Sequence, residues 1–525
     1  MAVSNSKSNR IIPTFGRRGP WLFVCHLLVA VGLAVSAGTP RAVRAAQDSP
    51  PLEPGRPVER ELSTGQSHSY EITLASGQYL QLAFGQRGID VAAALFAPDG
   101  RKLRQADRTH ALGGSEAILL VADAAGSYRV EVSSSSQLAA NGPYEIRIEA
   151  LRTPTAGDRD RAAADSTYRE AVQLRTGVLA DKRKGIEKYQ EALRLYRSAG
   201  DRLGEADALN SLGGAYYLLG EMRKALESCN EALPVFRAIG DRTGEAATLQ
   251  NIGAIHWLLG DRQQALERYR EALPLTRAVA DREGEGVTLN NLGMAYSSVG
   301  ETQKALDLFN EALPIRRAVG DRDGESTTLN NIAGIYRSLG DLQKALDRYQ
   351  EALAISRAIS DRQGETVVLN NIGGVYRLSG ELQKALDQYR VVLPIFREIG
   401  DRRGEATALH NLGGVYSSLG EVPKAIEMYQ EALRIARALG ERSGEATALQ
   451  NLGGAYRSLG ETPAALDRYQ ESLQIARSIG DRRGEAGTLL GIARVEQARG
   501  NLVPARQTLE QALAIIESLR ANIES

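Results

Sequence analysis

Two different spacings of apolar residues divide the chain. Between about Glu59 and Leu151, apolar and polar residues alternate in short runs such as HSYEITLA, GSYRVEVS and GPYEIRIEAL, which are separated by Ser-Gly, Pro-Asp-Gly and Asn-Gly-Pro turn signals. From about Gly157 to Arg520 the apolar residues follow helical stripes instead. The pattern predicts six or seven short strands in a small antiparallel β-sandwich or jelly roll, followed by a mainly α region.

The helical region repeats itself every forty residues. Row 401–440, DRRGEATALHNLGGVYSSLGEVPKAIEMYQEALRIARALG, aligns without a gap with each row from 201 to 520, and residues 159–200 form a degraded further copy. Within a row, Gly220 separates two apolar stripes, and Gly240 followed by Asp241 is typical of a helix end and the N-cap of the next helix. Each row is therefore predicted to be a helix–turn–helix hairpin, and the array a solenoid.

Row positions are numbered here from 1, the position of Asp241, to 40, the position of Gly240. A small residue at position 13 is followed by a large residue at position 16, as in Gly213 and Tyr216. Alanine stands at position 25 and mostly an aromatic residue at position 29. This pattern of small and large residues resembles the tetratricopeptide repeat (TPR), in the forty-residue form of kinesin light chains and Pins-type adaptors. The resemblance implies a right-handed α-solenoid whose first helices line a concave face.

The alternating region resembles the β domain that is called the bacterial pre-peptidase C-terminal domain. The resemblance rests on a polar-Tyr-x-hydrophobic opening strand and on the turn at Asp99-Gly100. In similar exported proteins such a domain often precedes forty-residue repeats and a caspase-like peptidase domain. No catalytic residue of such a peptidase can be matched in this sequence. The resemblance therefore implies an extracytoplasmic accessory module.

The amino terminus has the pattern of a signal peptide. Arg17 and Arg18 precede an apolar run, Trp21–Ala37, which is followed by small residues suited to cleavage. We expect an exported bacterial protein, periplasmic or extracellular; the alternative is an uncleaved anchor at residues 21–37, which would place the protein on a membrane. The predicted order is a signal peptide over 1–45, a linker over 46–58, the β-sandwich over 59–152, a linker and degenerate repeat over 153–200, seven TPR units over 201–480, a capping repeat over 481–520 and a tail over 521–525.

The composition of the chain argues against several classes of function. The chain has 64 Lys and Arg against 64 Asp and Glu, so zero net charge gives no reason to expect nucleic acid as a partner. Its two cysteines, Cys25 and Cys229, exclude a disulfide framework and a Cys-rich zinc site. No phosphate-binding, nucleophile-elbow or zinc-protease motif is present. We therefore expect a protein that is not an enzyme, with no cofactor, no metal and no small-molecule substrate.

The candidate site follows from the TPR resemblance, which places row positions 10, 11, 14 and 17 on the concave face. Positions 10 and 11 carry Asn210, Gln250, Asn251, Asn290, Asn291, Asn330, Asn331, Asn370, Asn371, His410, Asn411, Gln450 and Asn451, and position 17 carries Trp257, Arg337, Arg377 and Arg457. Carboxamide side chains compete with the backbone for the hydrogen bonds of a helix, so a pair of them that recurs in consecutive repeats indicates a specific role. They can pair with the main chain of an extended peptide, while the arginines favour an acidic one.

Several alternatives remain open at this point. The inner Asn of each pair can instead bond the next hairpin and be purely structural. The protein can be an accessory chain for a separate Cys/His peptidase, or a solenoid that associates with itself, and its oligomeric state is unknown. The recurring GDRxGE charges are interpreted as caps and inter-repeat pairs. Pro234, Pro274, Pro314 and Pro394 are expected to kink the second helices or to end them early.

Overall fold

The structure is a computed structural model that describes residues 51–63, 66–86, 91–106, 115–134, 142–175 and 177–524. The predicted signal peptide lies outside these residues. The described chain falls into two compact units that divide between Gly324 and Glu325.

Eight strands form two four-stranded antiparallel sheets in the first unit. The strands are β1 Val58–Leu62, β2 Ser67–Leu74, β3 Tyr79–Gln86, β4 Val91–Phe96, β5 Lys102–Ala106, β6 Ser115–Val121, β7 Gly126–Ser134 and β8 Gly142–Arg152. Their orders are β1-β8-β3-β6 and β2-β7-β4-β5. Six of the strands, β2, β3, β4, β6, β7 and β8, correspond to alternating runs of the kind described in the sequence analysis. The two additional strands, β1 and β5, are short edge strands, where one unpaired side weakens the alternating pattern.

The two sheets share one apolar core, as a sandwich requires. Tyr70 and Val130 from one sheet and Leu82 from the other are fully buried in it. The phenol of Tyr144 is hydrogen-bonded to Tyr70 and lies 2.7 Å from Nδ1 of His68. Burial, with the hydrogen bond to Tyr70, raises the pKa of Tyr144, so its proton stays within this buried polar chain. The prediction of an antiparallel sandwich is confirmed.

Eighteen helices follow in the described residues, two for each row. They are α1 Ala156–Leu174, α2 Leu179–Ala199, α3 Arg202–Leu218, α4 Met222–Ile239, α5 Arg242–Leu259, α6 Arg262–Ala278, α7 Arg282–Ser298, α8 Thr302–Ala318, α9 Arg322–Ser338, α10 Leu342–Ala358, α11 Arg362–Leu378, α12 Leu382–Glu398, α13 Arg402–Ser418, α14 Val422–Ala438, α15 Arg442–Ser458, α16 Thr462–Ser478, α17 Arg482–Ala498 and α18 Leu502–Glu524. Within each unit, consecutive hairpins therefore stack as a helical solenoid, and the predicted fold class is confirmed.

The predicted helix ends are found where the Gly-Asp pairs stand. Gly240 has φ 74°, a left-handed conformation that suits glycine, and the carboxylate of Asp241 accepts a hydrogen bond from the N–H of Gly244 at 3.0 Å. Two rows depart from this rule at position 40. Ala280 and Ser360 adopt the same conformation without being glycine, with φ 55° and 57°.

The four prolines lie inside their helices. α4 continues through Pro234 to Ile239, and α6, α8 and α12 likewise continue past their prolines. All four proline rings are exposed, so the carbonyl that each leaves without an N–H partner is on the solvent side, where water can hydrate it. The expectation that these helices end early was wrong.

Glutamates at row position 5 join neighbouring hairpins within each unit. Glu445 at position 5 accepts from Arg437 of the preceding row at 2.8 Å and from Arg442 at 2.6 Å, and its side chain is only 9% exposed. Arg437 also reaches Glu471 of the following second helix at 3.1 Å. The same position makes an Arg pair at Glu205, Glu245, Glu285, Glu365, Glu405 and Glu485. The interpretation of these charges as inter-repeat pairs is confirmed.

One row buries an arginine in the packing between helices. Position 36 carries Phe236 and Phe396 in two other rows, but Arg316 in α8, where it is 1% exposed. Its guanidinium lies 2.5 Å from the carboxylate of Asp321, which also caps the next helix through the N–H of Gly324. Burial lowers the pKa of Arg316, since the charged form loses solvation, while Asp321 acts in the opposite direction.

Candidate functional site

Row positions 10, 14 and 17 lie on one face of each first helix because they are spaced by four and three residues. We call this surface the first-helix face. Position 11 lies beside it, towards the preceding repeat. The side chains at these positions were predicted to line a peptide-binding groove, and their contacts and exposure decide which of them a partner can reach.

The carboxamides of neighbouring repeats bond to one another. In the second unit, the Nδ2 of Asn371 donates to the Oδ1 of Asn330 at 2.9 Å, and Asn411 donates to Asn370 at 3.0 Å. Asn451 continues the series with the imidazole of His410 at 3.2 Å. In the first unit Asn251 donates to Asn210 at 3.2 Å. Position 11 of each of these rows therefore bonds the side chain at position 10 of the row before it.

This arrangement differs from the structural alternative left open by the sequence. There the inner Asn was expected to bond the backbone of the next hairpin, whereas it bonds a side chain of the preceding one. A bond to the next hairpin is instead made from position 10 by Gln250. Its Nε2 lies 3.2 Å from the carbonyl of Gly284 and 2.6 Å from the hydroxyl of Thr288.

Burial removes half of the predicted lining from contact with a partner. The buried members are Asn210, Gln250, Asn251, Asn290, Asn291, Asn331 and Asn371. The half-buried members, which we call the polar row, are Asn330, Asn370, His410, Asn411, Gln450 and Asn451. The expectation of an open carboxamide pair in every repeat is therefore corrected, because only the polar row, which lies in the second unit, offers polar atoms at the surface.

The residue at row position 14 contributes to this difference in exposure between the buried carboxamides and the polar row. In α7 it carries Met294, whose sulfur lies 3.7 Å from the Nδ2 of Asn290 and covers that carboxamide. In the second unit the position is glycine in four first helices, at Gly334, Gly374, Gly414 and Gly454, so position 14 contributes no side chain that covers the polar row there.

The arginines at position 17 lie beside the polar row. Arg337 and Arg377 are half-buried and Arg457 is exposed. The Nη1 of Arg337 passes over the next repeat, 3.3 Å from the point where a Cβ on Gly374 would stand. Among the residues that the structure describes, none of these three arginines forms an ion pair with a carboxylate. This distinguishes them from Arg437 and its equivalents, whose charges are neutralised by glutamates between the repeats.

Buried tyrosine hydroxyls from the second helices contact these arginines. Burial raises the pKa of Tyr389 to about 12, and the charges of Arg377 and Arg337, together with a hydrogen bond from Arg377, act against that rise. Burial likewise raises the pKa of Tyr469, against a hydrogen bond from Arg457. Both phenols are therefore neutral donors and acceptors next to the arginines. Sequence reasoning missed them because they stand at position 29, which the repeat pattern assigns to packing.

Trp257, the aromatic residue that was predicted at position 17, is buried. It is 8% exposed. The guanidinium of Arg262 stacks on the Trp257 ring at 3.8 Å and donates a hydrogen bond to the backbone carbonyl of Trp257. The expectation that Trp257 lines a groove is therefore corrected. Cys229 is fully buried, and burial raises the pKa of its thiol to about 12, so it remains protonated, as expected for an inert side chain.

No group of three or more His, Cys, Asp or Glu side chains in the described part of the chain is arranged to hold a metal ion. None of the described helices combines the length and the apolar character needed to cross a membrane.

Comparison with known proteins agrees with the repeat pattern. The model of the tetratricopeptide repeat matches residues 179–238, 204–278, 244–318, 324–398, 404–478 and 444–518. None of the curated proteins with which the sequence was compared matches it.

Solved structures with a similar arrangement of helices include three with few identical residues. The apo form of the quorum sensor NprR from B. thuringiensis is 15% identical, with 69% of this chain and 100% of that chain covered and a TM-score of 0.50. The Rap conjugation gene regulator of the plasmid pLS20, in complex with the Phr* peptide, is 16% identical over 70% and 97%, with a TM-score of 0.45. A putative kinesin light chain of Podosopora anserina is 21% identical over 37% and 95%, with a TM-score of 0.33. At these identities the likeness concerns the fold alone.

Proposed function

Since the chain belongs to the tetratricopeptide repeat family, we propose that it is a non-enzymatic scaffold that binds an acidic, extended segment of a partner protein. The binding surface is the first-helix face of residues 325–524. One observation carries the proposal: Arg337, Arg377 and Arg457 form no ion pair with a carboxylate in the described chain, while the arginines between the repeats do.

An arginine in this position favours an anion. Its planar guanidinium matches a carboxylate in two parallel hydrogen bonds, and a half-buried site screens that interaction less than bulk water does. The polar row has one or two members in each of four consecutive repeats, and its carboxamides offer donors and acceptors that a peptide main chain can use. Arginines therefore select acidic side chains, and the polar row holds the backbone without selecting a sequence.

The same proposal includes export. The apolar run Trp21–Ala37 after Arg17 and Arg18 supports a cleaved signal peptide. Expression of the full sequence in a bacterium, followed by fractionation and mass measurement of the mature protein, tests this part. Recovery outside the cytoplasm with a new amino terminus after Ala37 or Ala45 supports export, and full-length protein in the cytoplasm contradicts it.

Two matched probes test the binding surface. One is a fluorescent peptide in which Glu alternates with Ser, and the other carries Gln in place of each Glu. We expect the Glu peptide to bind at least about tenfold more tightly, since a hydrogen bond to a charged group is worth roughly 1.5–3 kcal/mol. The preference should weaken with added salt and should disappear in the double variant Arg337→Gln with Arg377→Gln.

The control is Arg434→Gln, which removes an exposed arginine from the second helix α14 and should leave binding unchanged. Circular dichroism shows whether each variant remains folded. Equal binding of the two peptides, or a preference that survives the double substitution in a folded protein, would refute the proposed site.

A further inference from the structure

Two arginines of neighbouring repeats approach one glycine on the first-helix face. The Nη1 of Arg337, on α9, lies 3.3 Å from the point where a Cβ on Gly374 of α11 would stand, and the Oη of Tyr389 lies 3.7 Å from the same point. Apart from the backbone of α11 and the chain neighbours of this glycine, no other heavy atom of the described residues comes within 4 Å of that point. Gly374 is half-buried, so the space beside it opens to solvent. We call Gly374, Arg337, Arg377 and Tyr389 the Gly374 notch.

Arg377 belongs to the notch because of its place on α11. It follows Gly374 by three residues, so the two share one helix face. Helical side chains lean towards the amino terminus, which brings Arg377 back towards the glycine. Its guanidinium donates a hydrogen bond to the phenol of Tyr389, which is 1% exposed and is held in place by packing. Tyr389 thus positions the guanidinium of Arg377 on the side from which Arg337 approaches.

The two guanidiniums carry charges that no carboxylate of the described chain neutralises. Neither forms an ion pair there, and the only charged groups that act on Tyr389 are Arg337 and Arg377. The arginines between the repeats differ, as Arg397 does in its pair with Glu405 at 2.7 Å. Two like charges held close together repel each other, and a half-buried site screens this repulsion less than bulk water does. The notch is therefore stabilised most by a ligand with two negative charges.

The equivalent glycines of the next two repeats lack this arrangement. At Gly414 the nearest side-chain atom is the Oη of Tyr429, 3.9 Å from the Cβ position, and at Gly454 it is the Oη of Tyr469 at 3.6 Å. No guanidinium lies within 4 Å of either position. The repeat before Gly454 carries Ser417 in place of an arginine at row position 17. Among these three glycines, only Gly374 has an arginine of the preceding repeat beside it.

From this geometry we propose that the Gly374 notch binds the phosphate group of a phosphorylated side chain in the partner segment. A phosphate monoester carries close to two negative charges at neutral pH, and its three terminal oxygens can accept hydrogen bonds from both guanidiniums at once. A carboxylate carries one charge and would leave one guanidinium without a counter-charge.

The neighbouring polar row favours a phosphate that is carried on a peptide. Asn370, one turn before Gly374 on α11, is a half-buried member of the polar row and so flanks the notch with groups that a peptide main chain can use. The inference rests on the proposed function in one respect, since Arg337 and Arg377 belong to the same binding surface. It goes further in requiring that both arginines hold a single ligand.

Three fluorescent peptides test the proposal with the full protein. They share one neutral sequence of Ser and Gln and differ at a single central position, which is phosphoserine, Glu or Gln. We expect the phosphoserine peptide to bind at least about tenfold more tightly than the Glu peptide, because a second guanidinium adds charge-assisted hydrogen bonds. Fluorescence anisotropy measures the three affinities.

Substitutions that keep both charges locate the phosphate. Gly374→Ala places a Cβ 3.3 Å from the Nη1 of Arg337, so that guanidinium has to move away, and the preference for phosphoserine over Glu should be lost. Gly414→Ala is the matched control, because its Cβ meets only the Oη of Tyr429 at 3.9 Å, and the preference should remain. Alanine is favoured over glycine inside a helix, so both variants should stay folded, which circular dichroism checks.

Single arginine variants distinguish one shared ligand from two independent contacts. Arg337→Gln and Arg377→Gln should each remove most of the preference for phosphoserine over Glu, since the remaining guanidinium needs only one negative charge. If each arginine bound an anion by itself, either variant would leave the preference unchanged, and the notch would not be one site.

Equal affinity for the phosphoserine and Glu peptides, or a preference that survives Gly374→Ala in a folded protein, would overturn the inference. The proposed function would still stand if Glu remained preferred to Gln, and it would fail separately if those two peptides bound equally. Inorganic phosphate as a competitor identifies the source of the anion. Displacement of the phosphoserine peptide by an equal concentration of phosphate would assign the notch to free phosphate, whereas the need for a large excess supports a phosphorylated segment.

Discussion

The carboxamide nitrogen of Asn371 donates to the carboxamide oxygen of Asn330 across 2.9 Å, so two side chains 41 residues apart in the sequence join adjacent repeats. This relationship recurs between Asn411 and Asn370 at 3.0 Å. Each bond leaves the second hydrogen of the donor and one lone pair of the acceptor for other partners. The polar row therefore stabilises the stack and still presents polar atoms at the surface.

The first prediction concerns the energy of this bond. In a double-mutant cycle, Asn330→Ala and Asn371→Ala should show a coupling of about 1 kcal/mol, the usual net contribution of one hydrogen bond. Urea unfolding followed by circular dichroism measures it. The pair Asn330→Ala and Asn411→Ala, which do not bond each other, is the matched control and should be additive. Coupling of the same size in both cycles would contradict a direct bond.

The second prediction concerns the two helix ends that lack glycine. Ala280 and Ser360 hold left-handed backbone conformations, with φ 55° and 57°, that cost an ordinary residue about 1 kcal/mol relative to glycine. Ala280→Gly and Ser360→Gly should each raise the free energy of unfolding by about that amount. Thermal and urea unfolding measure the change.

The reverse substitution is the control for this effect. Gly240→Ala, at φ 74°, should lower the free energy of unfolding by a similar amount. If Ala280→Gly destabilises the protein, the greater backbone freedom of glycine in the unfolded chain outweighs the strain, and the structural explanation fails.

The third prediction concerns the buried ion pair of Arg316 and Asp321. Asp321→Ala removes an N-cap and also the carboxylate that pairs with the buried guanidinium at 2.5 Å, so we expect a loss of about 3–5 kcal/mol. Asp401→Ala, in a row that has Phe396 in place of the arginine, removes only the cap and should cost about 1 kcal/mol. Urea unfolding of the two variants gives the difference. Equal losses would show that the ion pair contributes nothing.

A second substitution distinguishes the contribution of the ion pair to stability from that of the N-cap. Arg316→Phe places in this row the side chain that Phe396 provides in another, and a buried ion pair replaced by an apolar group of similar size is often neutral or stabilising. We expect no loss of stability in Arg316→Phe. A loss comparable to that of Asp321→Ala would mean that the arginine is required for the packing itself.

The fourth prediction is a pH dependence. Burial works against the charged form of Glu365, but hydrogen bonds from Arg357 and Arg362 outweigh it, so the pKa of Glu365 lies below its usual 4.5. The unfolded chain then binds the proton more readily than the folded chain does. The stabilisation is therefore complete above pH 4.5 and is lost as the pH falls through the lower pKa of the folded state.

Unfolding of Glu365→Gln as a function of pH checks this sign. The variant should be less stable than the parent protein near neutral pH, and its stability should fall less steeply below pH 4.5. Glu187→Gln, at an exposed position of α2, is the control and should follow the parent protein at every pH. A parallel decline in Glu365→Gln would rule out this glutamate as a source of acid sensitivity.

Much of the fold was readable in the sequence because it depends on local signals. The Gly240-Asp241 pair marks a helix end and a helix start wherever it recurs, and alternation in runs such as HSYEITLA marks strands with one buried face. These signals act within a few residues. The early end that was one of two expectations at Pro234 was wrong, because the pattern does not say which side of the helix a residue faces and the Pro234 ring lies on the exposed side.

The candidate site could be predicted less well from the sequence, because the exposure of a side chain depends on the residues that surround it in the fold. Asn290 and Asn330 stand at the same row position, yet the first is fully buried beneath Met294 and the second is half-buried. The sequence by itself determined the repeat, the hairpin and the β-sandwich, since each follows from spacing along the chain. The tertiary structure alone decided which polar and apolar side chains face solvent, because that depends on contacts between residues about forty positions apart.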